Sequence, residues 1–253
     1  AMLSRLFLQS GKRLETVLTS IKQRLPSSFE LSLTLAVNYK TIHNDFESQN
    51  VVAFIPGTDK VLKNEYVVHS AHLDHVGIGR VVNGDSIYNG AHDNASGVAS
   101  LLEIARIYKN SGAKPKRSIL IVMVTGEEMG LIGSSYFAAN PTVPKGSIVA
   151  NVNTDMPTVI APLLSIVPLG AEHSTMMKHV QFAASQLRLD VENDPEPNEN
   201  RFVRSDQYSF IQKGVPALAL KFGYEPKSAA DRIQKDWIAT RYHAVSDDLS
   251  QPV

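Results

Sequence analysis

The sequence contains no cysteine, which excludes disulfides, thiolate metal sites and cysteine nucleophiles together. It has no apolar run near the roughly 18 residues of a membrane-spanning helix, and residues 1–25 lack the layout of a signal peptide. Charge of one sign is not in excess either. The 25 Lys and Arg residues balance 25 Asp and Glu, for a formal net charge of zero. With no basic stripe and no acidic tail, nothing points to nucleic acid or a membrane surface as partner. Internal repeats, low-complexity tracts, a His-Glu-x-x-His helix, a P-loop and a Gly-x-Ser-x-Gly elbow are all missing.

What is present suits a single large domain. A chain of 253 residues can bury a core that does not depend on a structural metal. The opening Ala1-Met2 reads as a remnant of tag removal, so an excised piece of a longer protein is expected.

Leu3, Leu6, Phe7, Leu14, Val17, Leu18, Ile21 and Leu25 recur at near-helical spacing, with a break at Gly11 and a stop at Pro26. This predicts one or two amphipathic helices. Residues 30–37 alternate apolar and polar, which predicts a strand. Further strands are expected at 51–55, 66–69, 119–124, 148–152, 163–167 and 217–220. Helices are expected at 95–110, 173–187 and 205–213, and residues 193–200 form a polar loop. Strands alternating with helices around the wholly apolar run 119–124 predict an α/β fold. The expected form is a three-layer α/β/α sandwich on a mixed, mostly parallel sheet.

Six polar side chains stand out against this frame. His72 follows the strand at 66–69, Glu127 and Glu128 follow 119–124, and Asp155 follows 148–152. The crevice beyond strand carboxyl ends is the usual ligand site of such sheets. Asp93 precedes the helix at 95, and His243 lies near the chain's end. Each has a plainer reading alone. Asp93 or Asn94 suits a helix N-cap, Glu127 and Glu128 suit the dipole of a following helix, Asp155 suits a turn, and His243 suits the surface. Their joint occurrence, in this order and on these elements, favours a metal centre.

The motifs around them resemble a known family. Ser70-Ala71-His72-Leu73-Asp74-His75, Gly90-Ala91-His92-Asp93-Asn94-Ala95-Ser96-Gly97, Gly126-Glu127-Glu128-Met129-Gly130, Asn153-Thr154-Asp155-Met156, Arg204-Ser205-Asp206 and Tyr242-His243 are similar to those of the co-catalytic zinc aminopeptidases. That is metallopeptidase family M-28, which includes aminopeptidase Y and glutamate carboxypeptidase II. The resemblance covers residues 50–253.

It implies two zinc ions, with His72 and Asp155 on one, Glu128 and His243 on the other, and Asp93 bridging. It implies Glu127 as general base toward a metal-bridging hydroxide, with Arg204 and Tyr242 at the substrate. It also implies Asp74 hydrogen-bonded to the far nitrogen of His72, Asp247 in the same role for His243, and a cis peptide at Asp93–Asn94. His69, His75 and His92 are expected beside the ligands rather than on metal, and Trp237 either at the entrance or packed.

The activity expected is removal of N-terminal residues from peptides by a monomer whose parent is secreted or periplasmic. The alternatives are a single-zinc glutaminyl cyclase-like acyltransferase and a non-catalytic, receptor-like domain of the same fold. By the same resemblance, residues 1–48 would be a helix and linker following an absent inserted domain, and a final packing helix would be missing.

Overall fold

The computed structural model describes residues 2–7, 10–26, 28–31, 34, 36–157 and 160–251. They form two compact units, divided between Phe46 and Glu47. The first holds two short helices, α1 (Met2–Phe7) and α2 (Leu14–Lys22). Its Phe7 and Phe29 rings meet edge to face at 5.7 Å. The strand expected at 30–37 is not formed: the described residues of that stretch join no sheet, and 32, 33 and 35 lie outside the described residues. Alternation supplies a strand-like pattern, but only a pairing partner makes a strand.

The second unit opens with β1 (Val51–Ile55), β2 (Tyr66–His72) and a hairpin of β3 (Gly77–Val82) and β4 (Asp85–Tyr88). Helix α3 (Ser96–Asn110), strand β5 (Ser118–Val124), helix α4 (Ile132–Ala139) and strand β6 (Ile148–Asn153) follow. The chain continues through β7 (Ser165–Leu169), α5 (Met176–Leu187), β8 (Asp190–Val191), α6 (Gln207–Ile211), β9 (Ala217–Phe222) and α7 (Ala229–Thr240). The sheet order is β1-β5-β2-β6-β9-β7-β8. β5, β2, β6 and β9 run parallel, while β1 and β7 run antiparallel to their neighbours β5 and β9. The mixed, mostly parallel sheet is the one expected.

Strand β5 is buried along its whole length, so its side chains divide between two cores. Leu120, Val122 and Val124 pack with Val68, Phe137 and Phe210 on one face. Ile119, Ile121 and Met123 pack with Ala71 and Leu101 on the other. This two-residue alternation explains why the run had to be apolar throughout. Helices α4 and α6 thus cover one face and α3 the other, the layered arrangement predicted. Among the described residues no helix is long and apolar enough to cross a membrane.

Candidate active site

Because β2, β5 and β6 are parallel neighbours, their carboxyl ends share one edge, and the polar residues meet there. His72 is the last residue of β2. Glu127 and Glu128 lie in the turn after β5, and Asp155 lies two residues beyond β6. Asp93 enters from the loop ahead of α3, and His243 follows α7 with a left-handed φ of 52°.

Asp93 stands at the centre. Its Oδ1 is 3.3 Å from His72 Nε2, and its Oδ2 is 3.2 Å from His243 Nε2. Asp155 Oδ1 lies 3.6 Å from His72 Nε2 on one side. Glu128 Oε2 lies 3.1 Å from His243 Nε2 on the other. Two half-sites therefore share one carboxylate. Asp155 Oδ1 is buried and has no hydrogen-bond partner, a costly condition for a carboxylate oxygen unless a cation takes it up.

The electrostatics point the same way. Burial disfavours a charged His72, yet Asp155 and Asp93 override it and raise its pKa to about 12. His243 is likewise raised, by its hydrogen bond to Asp93, with burial opposing and Glu128 assisting. The carboxylates are in surplus and draw positive charge onto whatever lies between them. Nitrogen and oxygen donors of these types, in two groups around a shared Asp, fit zinc.

Comparison with known proteins is consistent with that geometry. The profile described as Peptidase family M28 matches residues 50–253. The chain belongs to peptidase family M28. Leupeptin-inactivating enzyme 1 of Streptomyces exfoliatus is 28% identical over 209 residues, covering 79% of this chain and 43% of that protein. The chain thus spans less than half the length of this relative. BSAP, a zinc aminopeptidase from Bacillus subtilis, shares the fold at a TM-score of 0.53 and 20% identity, over 78% of this chain and 49% of that one. A Bacteroides thetaiotaomicron glutaminyl cyclase, bound to N-acetylhistamine, shares it at 0.56 and 18%, over 81% and 71%.

The surroundings of this M28 centre correct two expected contacts. The carboxylate of Asp74 does not hydrogen-bond His72; its Oδ1 is 3.9 Å from Nδ1. The backbone carbonyl of Asp74 meets that nitrogen instead, at 3.0 Å. The carboxylate is occupied elsewhere, accepting the backbone N–H groups of Glu127 and Glu128 at 3.1 Å each. Asp247 does not orient His243 either. Its two oxygens accept the N–H groups of His92 at 2.8 Å and Asp93 at 3.0 Å, so it holds the Asp93 loop. In both cases free backbone donors compete for the acid and win, because leaving a buried N–H unpaired is costly.

The peptide between Asp93 and Asn94 is cis, as expected. Of the two residues offered for capping in this loop, Asn94 is the one whose side chain accepts at the start of the helix. Asn94 Oδ1 accepts from Gly97 N at 3.0 Å at the start of α3 and from Met156 N at 3.1 Å. Asn94 Nδ2 donates to Thr154 O. Asn94 therefore ties the Asp93 loop to the Asp155 loop. A Cβ at position 97 would overlap Asn94 Oδ1 and Thr154 O, which is why a glycine stands there.

A cavity of about 750 Å³ opens over the cluster. Arg204 and Tyr242 both line it, with Met156, Phe222, Tyr224 and Ile238 among its apolar walls. The Tyr242 ring stacks on His243 at 3.9 Å. Burial raises the Tyr242 hydroxyl above its ordinary pKa, with Asp93 and Glu128 adding to the effect, so it stays a proton donor. Trp237 takes the packed alternative: it is buried 4.4 Å from His92, and its Nε1 donates to Gln251.

Three further side chains reach the candidate ligands, and the contacts of Lys221 and Ser205 were not anticipated from the sequence. The His75 side chain is buried, with Nδ1 2.8 Å from Glu128 Oε1; it sits beside the candidate ligands, as expected. Lys221 and Ser205 both contact Asp155. A lysine inside the otherwise apolar strand Ala217–Phe222 was the signal for the first of these.

Proposed function

We propose that this chain is the catalytic domain of a two-zinc aminopeptidase. The observation that carries the reading is the division of the buried Asp93 carboxylate between His72 and His243. His72 and Asp155 complete one metal position, and Glu128 and His243 complete the other. Two zinc ions held there would polarise a scissile carbonyl and lower the pKa of a water molecule.

Glu127 is the residue left for the proton. It lines the cavity, and its carboxylate lies within 4.8 Å of ligand atoms of His72 and Asp155. Burial raises its pKa to about 8, His72 works against that, and Asp206, Asp155 and Glu128 add to it. A buried carboxylate beside the proposed metal positions suits removal of a proton from attacking water and its return to the departing amine. Asp74 holds the Glu127–Glu128 turn through both backbone amides, a turn that would let Glu128 hold a metal and leave Glu127 for the proton. Tyr242 supplies an O–H, and Arg204 an N–H, toward the developing oxyanion or the substrate terminus.

The cavity's cations favour the amino end of a peptide over the carboxyl end. Each already faces an acid: Arg201 meets Asp194, Lys235 meets Asp231, Lys221 meets Asp155, and Arg204 stands 3.9 Å from Glu199. Of these four, Arg204 is the one loosely held, in an exposed pair with Glu199, and the lining adds no cluster of free cations for a terminal carboxylate. The cyclase alternative needs one zinc, whereas this site carries a second ligand pair in Glu128 and His243.

Glu127→Gln tests the reading. The variant is expected to retain both zinc ions while kcat on an aminoacyl anilide falls by about 10²–10⁴-fold. Turnover near the wild-type rate with zinc retained contradicts the role given to Glu127.

A further inference from the structure

Asp155 can offer a metal one carboxylate oxygen or two, and its neighbours decide between them. The β6–β9 register pairs Asn153 with Ala219; continued two residues along both strands, it sets Lys221 opposite Asp155. The Lys221 ammonium donates to the Asp155 backbone carbonyl at 2.7 Å and lies 3.3 Å from Oδ2. The Ser205 hydroxyl donates to the same Oδ2 at 2.8 Å. Oδ1 has no hydrogen-bond partner, is buried, and faces His72 Nε2 at 3.6 Å. One oxygen is engaged from two directions, and its twin is kept for something else.

We propose that Lys221 is a positioning residue which, together with Ser205, restricts Asp155 to one oxygen as a ligand of the metal shared with His72. The proposal rests on the two-zinc reading above. An ammonium has three donors and no acceptor, so it can clamp the carbonyl and Oδ2 at once and lock the carboxylate's rotation. Charge-assisted bonds of this kind are the stronger ones.

Two effects of Lys221 on a metal oppose each other. Fixing the ligand strengthens binding, and loss of such a supporting contact typically costs 10–100-fold in affinity. A second positive charge nearby weakens binding. The carboxylate lies between the two charges, so positioning is the larger effect.

The test is Lys221→Met, with Ser205→Ala as a smaller change that removes only a hydroxyl. Both are titrated, metal-free, with zinc against a chromophoric chelator and with cobalt(II) as a spectroscopic substitute. Lys221→Met is expected to lose at least about tenfold in affinity at one position and little at the other. Its cobalt absorption should weaken as Asp155 turns to two-oxygen binding and the coordination number rises. Ser205→Ala should change the spectrum in the same direction.

Superimposable cobalt spectra with zinc affinities unchanged within twofold would overturn the proposal. So would tighter zinc binding in Lys221→Met, which would show that the lysine acts by repulsion. If Lys221→Met does not fold, an unchanged spectrum in Ser205→Ala overturns the proposal by itself. Fewer than two ions on the wild type would instead overturn the two-zinc reading, which keeps the two failures apart.

Discussion

Asp206 shows how a single side chain registers the cost of building this site. It is fully buried, and neither carboxyl oxygen has a hydrogen-bond partner. Burial raises its pKa to about 7, with Ser134 and His72 pulling the other way and Asp155 and Asp74 adding to the rise. The folded chain therefore holds this proton more tightly than the unfolded chain, whose value is 3.8. Between those two pH values the native state binds more protons, so stability falls as pH rises and levels off above about 7. In metal-free protein, Asp206→Asn is expected to remove this slope. Relative to wild type it should gain on the order of 3 kcal/mol between pH 4 and pH 8, read from urea midpoints. A difference that does not change with pH contradicts this account of the buried acid.

At the same scale, the clustering of the candidate ligands was legible in the sequence because hard donors at strand ends are a chemical signal. Which atom each supporting acid would use was not. Asp74 and Asp247 each have several possible donors within reach, and only the folded loops show that backbone N–H groups take them. Adjacent glutamates likewise announce two roles, but their division depends on the turn that Asp74 anchors.

Elements were legible where burial dictated composition. The apolar run of β5 and the periodicity of α3 and α5 admit few alternatives. The hairpin β3–β4 and helix α7 went unread, and helix α4 entered only as an unplaced helix after Glu127 and Glu128. For the hairpin the signal was Asn83-Gly84, both at positive φ, joining Val82 to its partner Asp85 in the two-residue turn that this dipeptide favours. For α7 it was Ser228, whose hydroxyl accepts from Asp231 N as a helix N-cap does. Helix α4 contains Gly133 and two serines, poor helix formers held by packing rather than propensity.

That packing gives a prediction at the scale of elements. Phe210 of α6 is fully buried against Phe137 of α4, with ring centroids 6.2 Å apart. Phe210→Ala should cost about 3–5 kcal/mol, measured by chemical denaturation. Because α6 follows directly on Arg204 and Ser205, activity should also fall in the variant that remains folded. A loss below about 1 kcal/mol would mean that this face of the sheet is not the core described.

Across the whole molecule, zero net charge conceals a sharp local imbalance. Asp93, Glu127, Glu128, Asp155 and Asp206 gather at one sheet edge, opposed by His72, His243 and Lys221. The parallel strands β2, β5 and β6 bring them together, and the loops before α3 and after α7 close the group. The sandwich supplies the edge, and the side chains at that edge supply the chemistry. The claim that most of the account depends on is that Asp93 is shared by two metals. Diffraction from zinc-loaded crystals, collected on both sides of the zinc absorption edge, tests it most directly. Two anomalous peaks about 3.5–4 Å apart are predicted, one beside His72 and Asp155, the other beside Glu128 and His243, with an Asp93 oxygen on each. A single peak, or two peaks that do not share Asp93, would contradict it.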